Sequence, residues 1–444
     1  MKLPTVRALG GAALPIFLLL GSSTAARCQA DSRAQAGGNG APASAAASRA
    51  VEPVRDTPLP IDDEQRRILG SAAKTAWSYI QRNYSTSSGM VKALDSWEYV
   101  TIWDIASMAA AFHSAHGLQL ISDAEYHNRM TRLLQTLETT ALYDNAAFNK
   151  LYAARSGSMV DRDNKVSTRG YGWSALDLGR FLVWMAIVAK TDPALAPQVQ
   201  RVVGRLKLDR LIKDEYLMGA NVDTRDNKHH EYQEGRLGYE QYSAEGFALW
   251  GARAEHALEF GANGKPVDVF GVPVLADKRG DDLLTSEPFI MMGMELGWTR
   301  PEWEVQARNV LAAQRARYTR TGTITMLSED AVPVKPAYFY YYLLHSDGKD
   351  FVVRTPTGDV DASYPRWIST KAAFGWHVLF PSDYTWSAVR AVLPAGASGK
   401  GWTAGVYERS KRATPGFNLN TAAIVLEAAY YAQRGCALIR PSCS

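Results

Sequence analysis

Cysteine is scarce in this chain of 444 residues: there are three, and only Cys436 and Cys443 lie beyond the first 30 positions. A network of disulfides therefore cannot hold the fold together, and a hydrophobic core must do so. Hydrophobic residues make up 46% of the sequence, enough for a large core. The length alone allows about two or three domains.

Several catalytic motifs are also missing. The sequence contains no phosphate-binding loop, no dinucleotide fingerprint, no nucleophile elbow and no zinc-protease helix. We therefore expect no cofactor. Two acidic fragments, 161–164 and 223–227, have part of a calcium-loop pattern, but Asp and Asn are more often turn residues. His229 and His230 lack helical ligand spacing, so we predict no metal site.

No charge of one sign dominates the chain. It has 49 Lys and Arg against 45 Asp and Glu, a net charge of +4. Three of the basic residues precede the first acid, Asp31, within a segment that export would remove. The remaining chain is close to neutral, so we expect neither a nucleic-acid partner nor an anionic membrane partner.

No hydrophobic run is long enough for a stable membrane span. Residues 9–21 are apolar but shorter than the roughly 20 residues that a spanning helix needs. They follow Lys2 and Arg7 and precede small residues that offer cleavage points, after Ala25, Ala26 or Ala30. This pattern predicts a signal peptide at 1–30, and a periplasmic or secreted protein.

Export bears on all three cysteines. Lipid attachment at Cys28 is an alternative, although Arg27 fits lipoprotein processing poorly. In an oxidising compartment Cys436 and Cys443 would form a disulfide that closes a small loop, and the alternative is two unpaired thiols.

Residues 31–57 are rich in Ala, Gly, Ser and Pro, which predicts a disordered linker. We treat 58–444 as one domain, because no second linker follows. In it, amphipathic helical patterns alternate with segments that are apolar nearly all round. The amphipathic patterns lie at 62–83, 123–141, 193–207, 300–318 and 383–393. The apolar segments lie at 101–117, 171–190, 241–260, 284–297, 368–380 and 419–434.

This alternation is typical of a double ring of helices, with the apolar helices inside. We therefore predict an all-α fold, an (α/α)6 toroid of six helical hairpins. One outer helix is missing, because 261–281 reads as extended chain. Residues 208–240 and 320–366 are long insertions with β-like runs, and we expect both to wall the mouth of the toroid.

A small pattern recurs where each apolar segment begins. Polar or aromatic residues stand directly before the helical run at 101–104, 173–177, 242–245, 284–287, 368–371 and 418–421. Four of these junctions carry a carboxylate in the first turn: Asp104, Asp177, Glu245 and Glu287. If the six helices point the same way, these acids meet at one mouth.

The sequences of several junctions resemble those of a known family. The segments are WDIAS at 103–107, TSEPFIMMGMELG at 285–297, GWTAGVYE at 401–408 and NLNTAAIVLE at 418–427. Together they resemble an uncharacterised bacterial domain family of the six-hairpin glycosidase group, near glycoamylase-like domains and bacterial β-glucan hydrolases. The resemblance covers about 62–434 and implies an (α/α)6 toroid that acts on glycans.

Glycoside hydrolysis needs one carboxyl group that protonates the leaving oxygen and another that activates water or attacks the sugar. We favour Glu240 as the donor, because Tyr239 and Tyr242 can exclude water around it, and Asp104 as the base. Glu245 and Glu287 are further catalytic candidates. Capping of a helix end is the structural alternative for these acids, and it is favoured for Asp177 and Glu287.

Aromatic rings at the junctions offer stacking surfaces for sugars. The candidate substrate-binding residues are Trp103, Trp173, Asp177, Tyr239, Tyr242, Trp402 and Glu408. Core packing is the alternative for the aromatic ones.

The leading hypothesis is thus an exported glycoside hydrolase that acts on a bacterial glucan or exopolysaccharide, with a poly- or oligosaccharide as its partner. A polysaccharide lyase and a non-catalytic glycan-binding or scaffolding protein are the alternatives. An acidic mouth disfavours the anionic substrate of a lyase.

Overall fold

The structure, a computed structural model, describes residues 59–223, 227–279, 283–358 and 364–443. The predicted signal peptide at 1–30, the linker at 31–57 and Cys28 lie outside these residues. In the described part, no helix is long and apolar enough to cross a membrane.

The described residues form twelve α-helices. They are α1 (Asp63–Asn83), α2 (Ile102–Gly117), α3 (Asp123–Thr139), α4 (Ala175–Thr191), α5 (Ala196–Val203), α6 (Tyr239–Ala248), α7 (Glu255–Leu258), α8 (Glu287–Met291), α9 (Pro301–Thr321), α10 (Thr370–Leu379), α11 (Asp383–Val392) and α12 (Leu419–Arg434). A turn of π-helix, Met292–Leu296, continues α8.

The even-numbered helices pack in a closed cycle. Along the chain each one contacts the next, from α2 through to α12, and α12 contacts α2. These are the apolar segments of the sequence, and their buried residues lie all round each helix, as in α2 and α4. The odd-numbered helices are mostly the amphipathic ones and pack outside. The helix-rich fold predicted from the sequence is confirmed.

Short strands make up the remaining regular structure. They are β1 (Tyr99–Thr101), β2 (Leu142–Tyr143), β3 (Ala147–Phe148), β4 (Leu151–Ala153), β5 (Ile212–Lys213), β6 (Tyr216–Val222), β7 (His229–Gln233), β8 (Gly264–Val269), β9 (Val272–Asp277), β10 (Glu329–Ala331), β11 (Phe339–Ser346), β12 (Lys349–Arg354), β13 (Trp367–Ser369) and β14 (Gly405–Tyr407). All pairings between them are antiparallel, and the two larger sheets, β5–β6–β7 and β10–β11–β12, lie in the two predicted insertions.

The fourth outer position departs from the other five, as the glycine and proline pattern predicts. It holds only the single turn α7 and the β8–β9 hairpin, and β9 packs against α9. The apolar segment predicted at 241–260 also ends early, because α6 stops at Ala248.

Side-chain caps fix where several inner helices begin. Thr101 and Asp104 form a capping box at α2. The Ser174 side chain accepts from the Asp177 amide at α4, and Asn418 accepts from the Thr421 amide at α12. Such caps satisfy the backbone N–H groups that a helix start leaves without partners.

The chain's last described segment folds back onto the π-helical turn. Cys436 and Cys443 form a disulfide with a Cα–Cα distance of 5.7 Å. Between them, the amides of Leu438 and Ile439 donate to the carbonyls of Met294 and Glu295, each at 2.9 Å.

Candidate active site

A cleft opens at the N-terminal ends of the inner helices. Each of the six inner helices contributes a first-turn residue to it: Asp104, Asp177, Tyr239, Glu287, Lys371 and Asn420. The six helices therefore do point the same way. The empty space in and above the cleft amounts to about 1180 Å³, and β10 and the start of β11 supply further lining residues.

Asp104 is a buried member of this ring. Its Oδ2 accepts hydrogen bonds from the Thr101 amide at 2.9 Å and the Thr101 hydroxyl at 2.8 Å. Burial raises the pKa of Asp104, and the bonds from Thr101 oppose that shift. One carboxylate oxygen is thus fixed, while the other has no hydrogen bond to a described residue.

Asp177 occupies the equivalent position on α4 but is half-buried and differently surrounded. Its carboxylate forms no salt bridge with any residue in the described part of the chain. Burial, reinforced by the negative charge of Glu234, raises the pKa of Asp177 from its ordinary value of 3.8 to about 7. A carboxyl group of this kind holds a proton near neutral pH and can donate it.

Glu287 is the most heavily bonded of the four predicted acids. Its Oε2 accepts from Lys371 Nζ at 2.5 Å and from the Tyr239 hydroxyl at 3.4 Å. Its Oε1 accepts from Asn420 Nδ2 at 2.7 Å. These partners fix both oxygens of Glu287 in place on the cleft wall.

A second ion pair comes from an insertion. Glu329 on β10 lies 3.3 Å from Arg236, and both side chains line the cleft. Burial, opposed by the charge of Arg236, raises the pKa of Glu329 to about 7. Beside it, Asp330 Oδ1 lies 3.5 Å from Lys371 Nζ.

Aromatic side chains form part of the cleft wall. Trp103 and Tyr239 meet edge to face with their ring centroids 5.6 Å apart. The guanidinium of the buried Arg180 lies 4.7 Å from the centre of the Trp103 ring and packs against that ring. Trp97, Tyr171, Tyr338 and Phe339 line the cleft as well.

The sequence hypothesis for Glu240 needs correction. Glu240 is fully buried on α6 and does not line the cleft. Its carboxylate forms an ion pair with Arg279 and accepts from Gln233 Nε2 at 2.9 Å and the Leu217 amide at 3.2 Å. Both oxygens are therefore engaged, by residues of the β5–β7 sheet and by Arg279 just beyond β9, and Glu240 is not part of the cleft wall.

Glu245 also lies away from the cleft. It is two turns along α6 and accepts from the Thr299 hydroxyl at 3.2 Å. Arg300 is its nearest cation, at 4.0 Å. Helical periodicity places it on the outer side of α6, so its contacts are with the chain that leads into α9.

Three aromatic candidates pack inside the protein instead of lining the cleft. Trp173 Nε1 donates to the Met218 carbonyl at 3.0 Å, and Trp402 Nε1 donates to the Ala72 carbonyl at 3.0 Å. The Tyr242 hydroxyl donates to Glu295 in the centre of the helix cycle. All three side chains are buried.

Glu408 likewise has a structural partner. Its two oxygens accept from the Arg317 guanidinium at 2.7 and 2.8 Å. The Tyr342 hydroxyl donates to it as well, at 2.7 Å. This bidentate pair joins the residue that follows β14 to α9, outside the cleft lining.

Sequence reasoning missed several polar residues of the site, namely Lys150, Glu234, Arg236, Glu329, Lys371 and Asn420. Lys371 and Asn420 stand at recurring junctions, so the pattern did predict their position at the mouth, although neither was a candidate site residue. Arg236 and Glu329 lie in the insertions predicted to wall the mouth. Lys150 sits between β3 and β4, where the sequence shows no pattern.

The described residues contain no cluster of three or more His, Cys, Asp or Glu that could hold a metal ion. The cleft lining itself supplies carboxyl, ammonium, guanidinium and phenol groups.

The sequence matches a family over residues 71–435. The chain belongs to this family, a protein family of unknown function designated DUF3131. No protein with a curated description matches this sequence. The membership agrees with the resemblance read from the junction segments.

Solved structures share the fold at low sequence identity. A candidate glucoamylase from Bacteroides caccae is 13% identical, with a TM-score of 0.62 over 84% of this chain and 94% of the other. An endo-β-1,2-glucanase from Chitinophaga pinensis, in complex with sophorotriose and glucose, is 12% identical, with a TM-score of 0.61 over 84% and 93%. An endo-β-1,2-glucanase variant from Talaromyces funiculosus, in complex with β-1,2-glucan, is 11% identical, with a TM-score of 0.56 over 82% and 83%. These proteins establish the six-hairpin glycosidase-like fold of the DUF3131 chain.

Proposed function

We propose that this protein is an exported glycoside hydrolase that cleaves a bacterial glucan or exopolysaccharide in the cleft of an (α/α)6 toroid. The observation that carries the proposal is the pair of first-turn acids on neighbouring helices, Asp104 and Asp177. Both line the cleft, and they differ in their surroundings as an acid and a base must.

In the proposed reaction Asp177 protonates the glycosidic oxygen as the bond to the sugar carbon breaks. Its raised pKa keeps the proton available near neutral pH. Asp104, with Oδ2 fixed by Thr101, uses Oδ1 either to take a proton from water or to attack the sugar. The separation of the two carboxyl groups in the substrate complex decides between inversion and retention.

Other cleft residues would bind the sugar. Trp103 and Tyr239 offer ring faces and edges for the apolar side of a pyranose. Lys371 and Asn420 are held by Glu287, so their remaining N–H groups can donate to hydroxyls. Most of the cleft's charges are paired, which favours a neutral, hydroxyl-rich substrate.

Two observations support the proposed substrate and the proposed location of the protein. The fold neighbours include enzymes named for β-1,2-glucan, so a glucan is the first substrate to try. The signal-like sequence at 1–30 and the Cys436–Cys443 disulfide favour a periplasmic or secreted protein.

The test is to incubate the exported form with linear β-1,2-glucan and a panel of bacterial glucans and exopolysaccharides, and to identify products by mass. Asp177→Asn and Asp104→Asn should each lower kcat by about 100-fold or more. Glu245→Gln is the matched control, because it removes an acid of an inner helix that lies outside the cleft, and it should retain activity.

Full activity in Asp177→Asn or Asp104→Asn, with thermal unfolding unchanged, would refute that residue's role. Unsaturated products that absorb in the ultraviolet would instead identify a lyase. Glycan binding that survives both substitutions, with no product from any substrate, would indicate a binding protein.

A further inference from the structure

Asp104 and Asp177 occupy the same position in their helices, the third residue, yet only one is used as a cap. At α2 the Asp104 carboxylate accepts from the Thr101 amide and hydroxyl. At α4 the capping residue is Ser174, whose hydroxyl accepts from the Asp177 amide at 3.1 Å. The Asp177 carboxylate therefore takes no part in capping α4.

The other free amides of the α4 start are taken by a residue distant in sequence. Glu234 follows β7, is buried, and its Oε2 accepts from the Ala175 amide at 2.6 Å and the Leu176 amide at 3.4 Å. Together with Ser174 it occupies the first three N–H groups of α4. Its Oε1 has no hydrogen-bond partner among the described residues.

This arrangement reverses the usual effect of a helix start on an acid. The positive end of a helix dipole and its free amides normally stabilise a carboxylate in the first turn. At α4 a buried carboxylate already neutralises that end. A second negative charge on Asp177 is therefore repelled by the group that holds the helix.

One buried cation acts in the opposite direction. Lys150 lines the cleft, and its Nζ donates to Asn221 Oδ1 at 2.5 Å and to the Tyr232 hydroxyl at 2.8 Å. No carboxylate in the described chain lies within salt-bridge distance of it. Burial lowers the pKa of Lys150 to about 8, and its charge favours ionised Asp177.

The remaining titratable groups around Asp177 come from the other elements packed against α4. Asp104 on α2 adds a smaller repulsion. Three tyrosines, Tyr171, Tyr232 and Tyr341, also face it electrostatically and stay neutral in the relevant range, because burial raises the pKa of each.

We propose that Glu234 and Lys150 are positioning residues that set the charge of Asp177 from opposite sides, Glu234 by occupying the start of α4 and Lys150 from the cleft wall. The proposal deepens the proposed function, since it explains why Asp177 and not Asp104 would be the proton donor. It predicts that replacing either residue changes the pH at which Asp177 titrates, whereas a role in folding alone predicts only a loss of stability.

The charge of Asp177 can be followed without substrate through stability. Folding raises the pKa of Asp177. Between about pH 4 and pH 7, therefore, the folded state holds a proton that the unfolded state has released. This contribution to stability is present below the unfolded pKa and is lost as pH rises through about 7. Asp177→Asn has no such loss, so the difference in unfolding midpoint between it and the wild type traces the titration.

The experiment measures that difference from pH 4 to pH 9 in three backgrounds: wild type, Glu234→Gln and Lys150→Met. Glu234→Gln keeps an acceptor for the α4 amides but removes the charge, and should move the Asp177 titration down by about one pH unit. Lys150→Met should move it up by a similar amount. In an active preparation, the alkaline limb of the kcat/KM profile should move in the same directions.

The proposal is overturned if Asp177 titrates at the same pH in either variant as in the wild type, and the variant only loses the same amount of stability at every pH. If Glu234→Gln does not fold, Lys150→Met still decides, because an upward movement supports the charge balance and its absence refutes it. The unfolding data stand apart from the proposed function, which fails if Asp177→Asn keeps full activity.

Discussion

At the scale of single residues, the roles of the acids follow from what each carboxylate contacts. Glu287 has partners on both oxygens, Glu240 is committed to Arg279, and Asp177 forms no salt bridge within the described residues. A cation partner opposes the rise in pKa that burial causes, whereas an acid without such a partner is not protected in this way. The chemistry of the cleft therefore depends on the neighbours of each acid as much as on the acid itself.

Lys371→Met tests how strongly one such neighbour is needed. Lys371 is buried and lies between Glu287 at 2.5 Å and Asp330 at 3.5 Å, so its loss leaves two buried carboxylates without their shared cation. We expect a loss of about 3 kcal/mol in the free energy of unfolding at pH 8. Chemical unfolding measures it.

The same loss should be smaller at pH 5. Burial already raises the pKa of Asp330 to about 6, with Lys371 opposing the shift, so without Lys371 the carboxyl is protonated at pH 5 and its unpaired charge disappears. Lys74→Met on the exposed face of α1 is the control and should change stability by less than about 0.5 kcal/mol at either pH. An equal loss at both pH values would contradict this account.

Residue patterns identified part of the site. The recurring junctions brought Trp103, Asp104, Asp177 and Glu287 to the cleft, because a helix start fixes which end of the helix a residue lies on. The junction at 242–245 was misplaced, because α6 begins at Tyr239. The junctions could not separate Glu240 from the cleft, since its ion pair is with Arg279, 39 positions away. Contacts between residues that far apart leave no local signal in the sequence.

At the scale of elements, close approach of backbones decides which helices can sit side by side. Where α4 meets α6, a Cβ added at Gly179 would lie 2.3 Å from Ser243 Cβ and 2.5 Å from its Cα. A Cβ added at Gly246 would lie 2.1 Å from the Gly179 carbonyl oxygen. Both helices thus need glycine at their crossing, and this crossing sets the spacing between Asp177 and Tyr239.

Gly179→Ala should destabilise the protein by about 2 kcal/mol or more, because the backbone of α6 has to move to make room. Gly70→Ala is the matched control: it lies in the middle of α1, with nothing within 4 Å of the added methyl group. It should stabilise the protein by about 0.5–1 kcal/mol through helix propensity. Thermal and chemical unfolding measure both, and a neutral Gly179→Ala would refute the argument from close packing.

Element boundaries were predictable where a cap and a periodic pattern coincide. The pattern at 62–83 corresponds to Asp63–Asn83, and that at 419–434 to Leu419–Arg434, each with a capping side chain at its start. The early end of α6 has a local signal, because Gly251 follows it with a φ of 84°. The π-helical turn after α8 has no such signal in the sequence.

At the scale of the whole molecule, the chain's end is joined to its middle. The loop closed by Cys436 and Cys443 supplies two amides to the π-helical turn, which follows the acid-bearing start of α8. The loop therefore connects the last inner helix to the fourth one by hydrogen bonds as well as by packing.

Replacing both cysteines by serine should lower stability by about 2 kcal/mol, the value expected for a small closed loop. The amides of Leu438 and Ile439 should also exchange with solvent faster, because the loop that presents them is no longer closed. Hydrogen exchange and chemical unfolding measure the two effects. A reducing agent should reproduce both in the wild type and neither in the variant, and no change in exchange would show that the loop holds without its disulfide.

The closed cycle of inner helices has a consequence for how the cleft is completed. Five of its six contacts join inner helices that follow one another in the chain, with one outer helix between them. The sixth joins α12 and α2, the last and the first, and no short connection links these two. That seam is held by side chains such as Ser107, which donates to Asn420 at 3.2 Å, and by the Leu419 amide on the Ala93 carbonyl at 2.9 Å. The seam lies beside Asp104, so the last inner helix completes the cleft wall, and a chain that ended before α12 would lack Asn418 and Asn420 and leave the cleft open on that side.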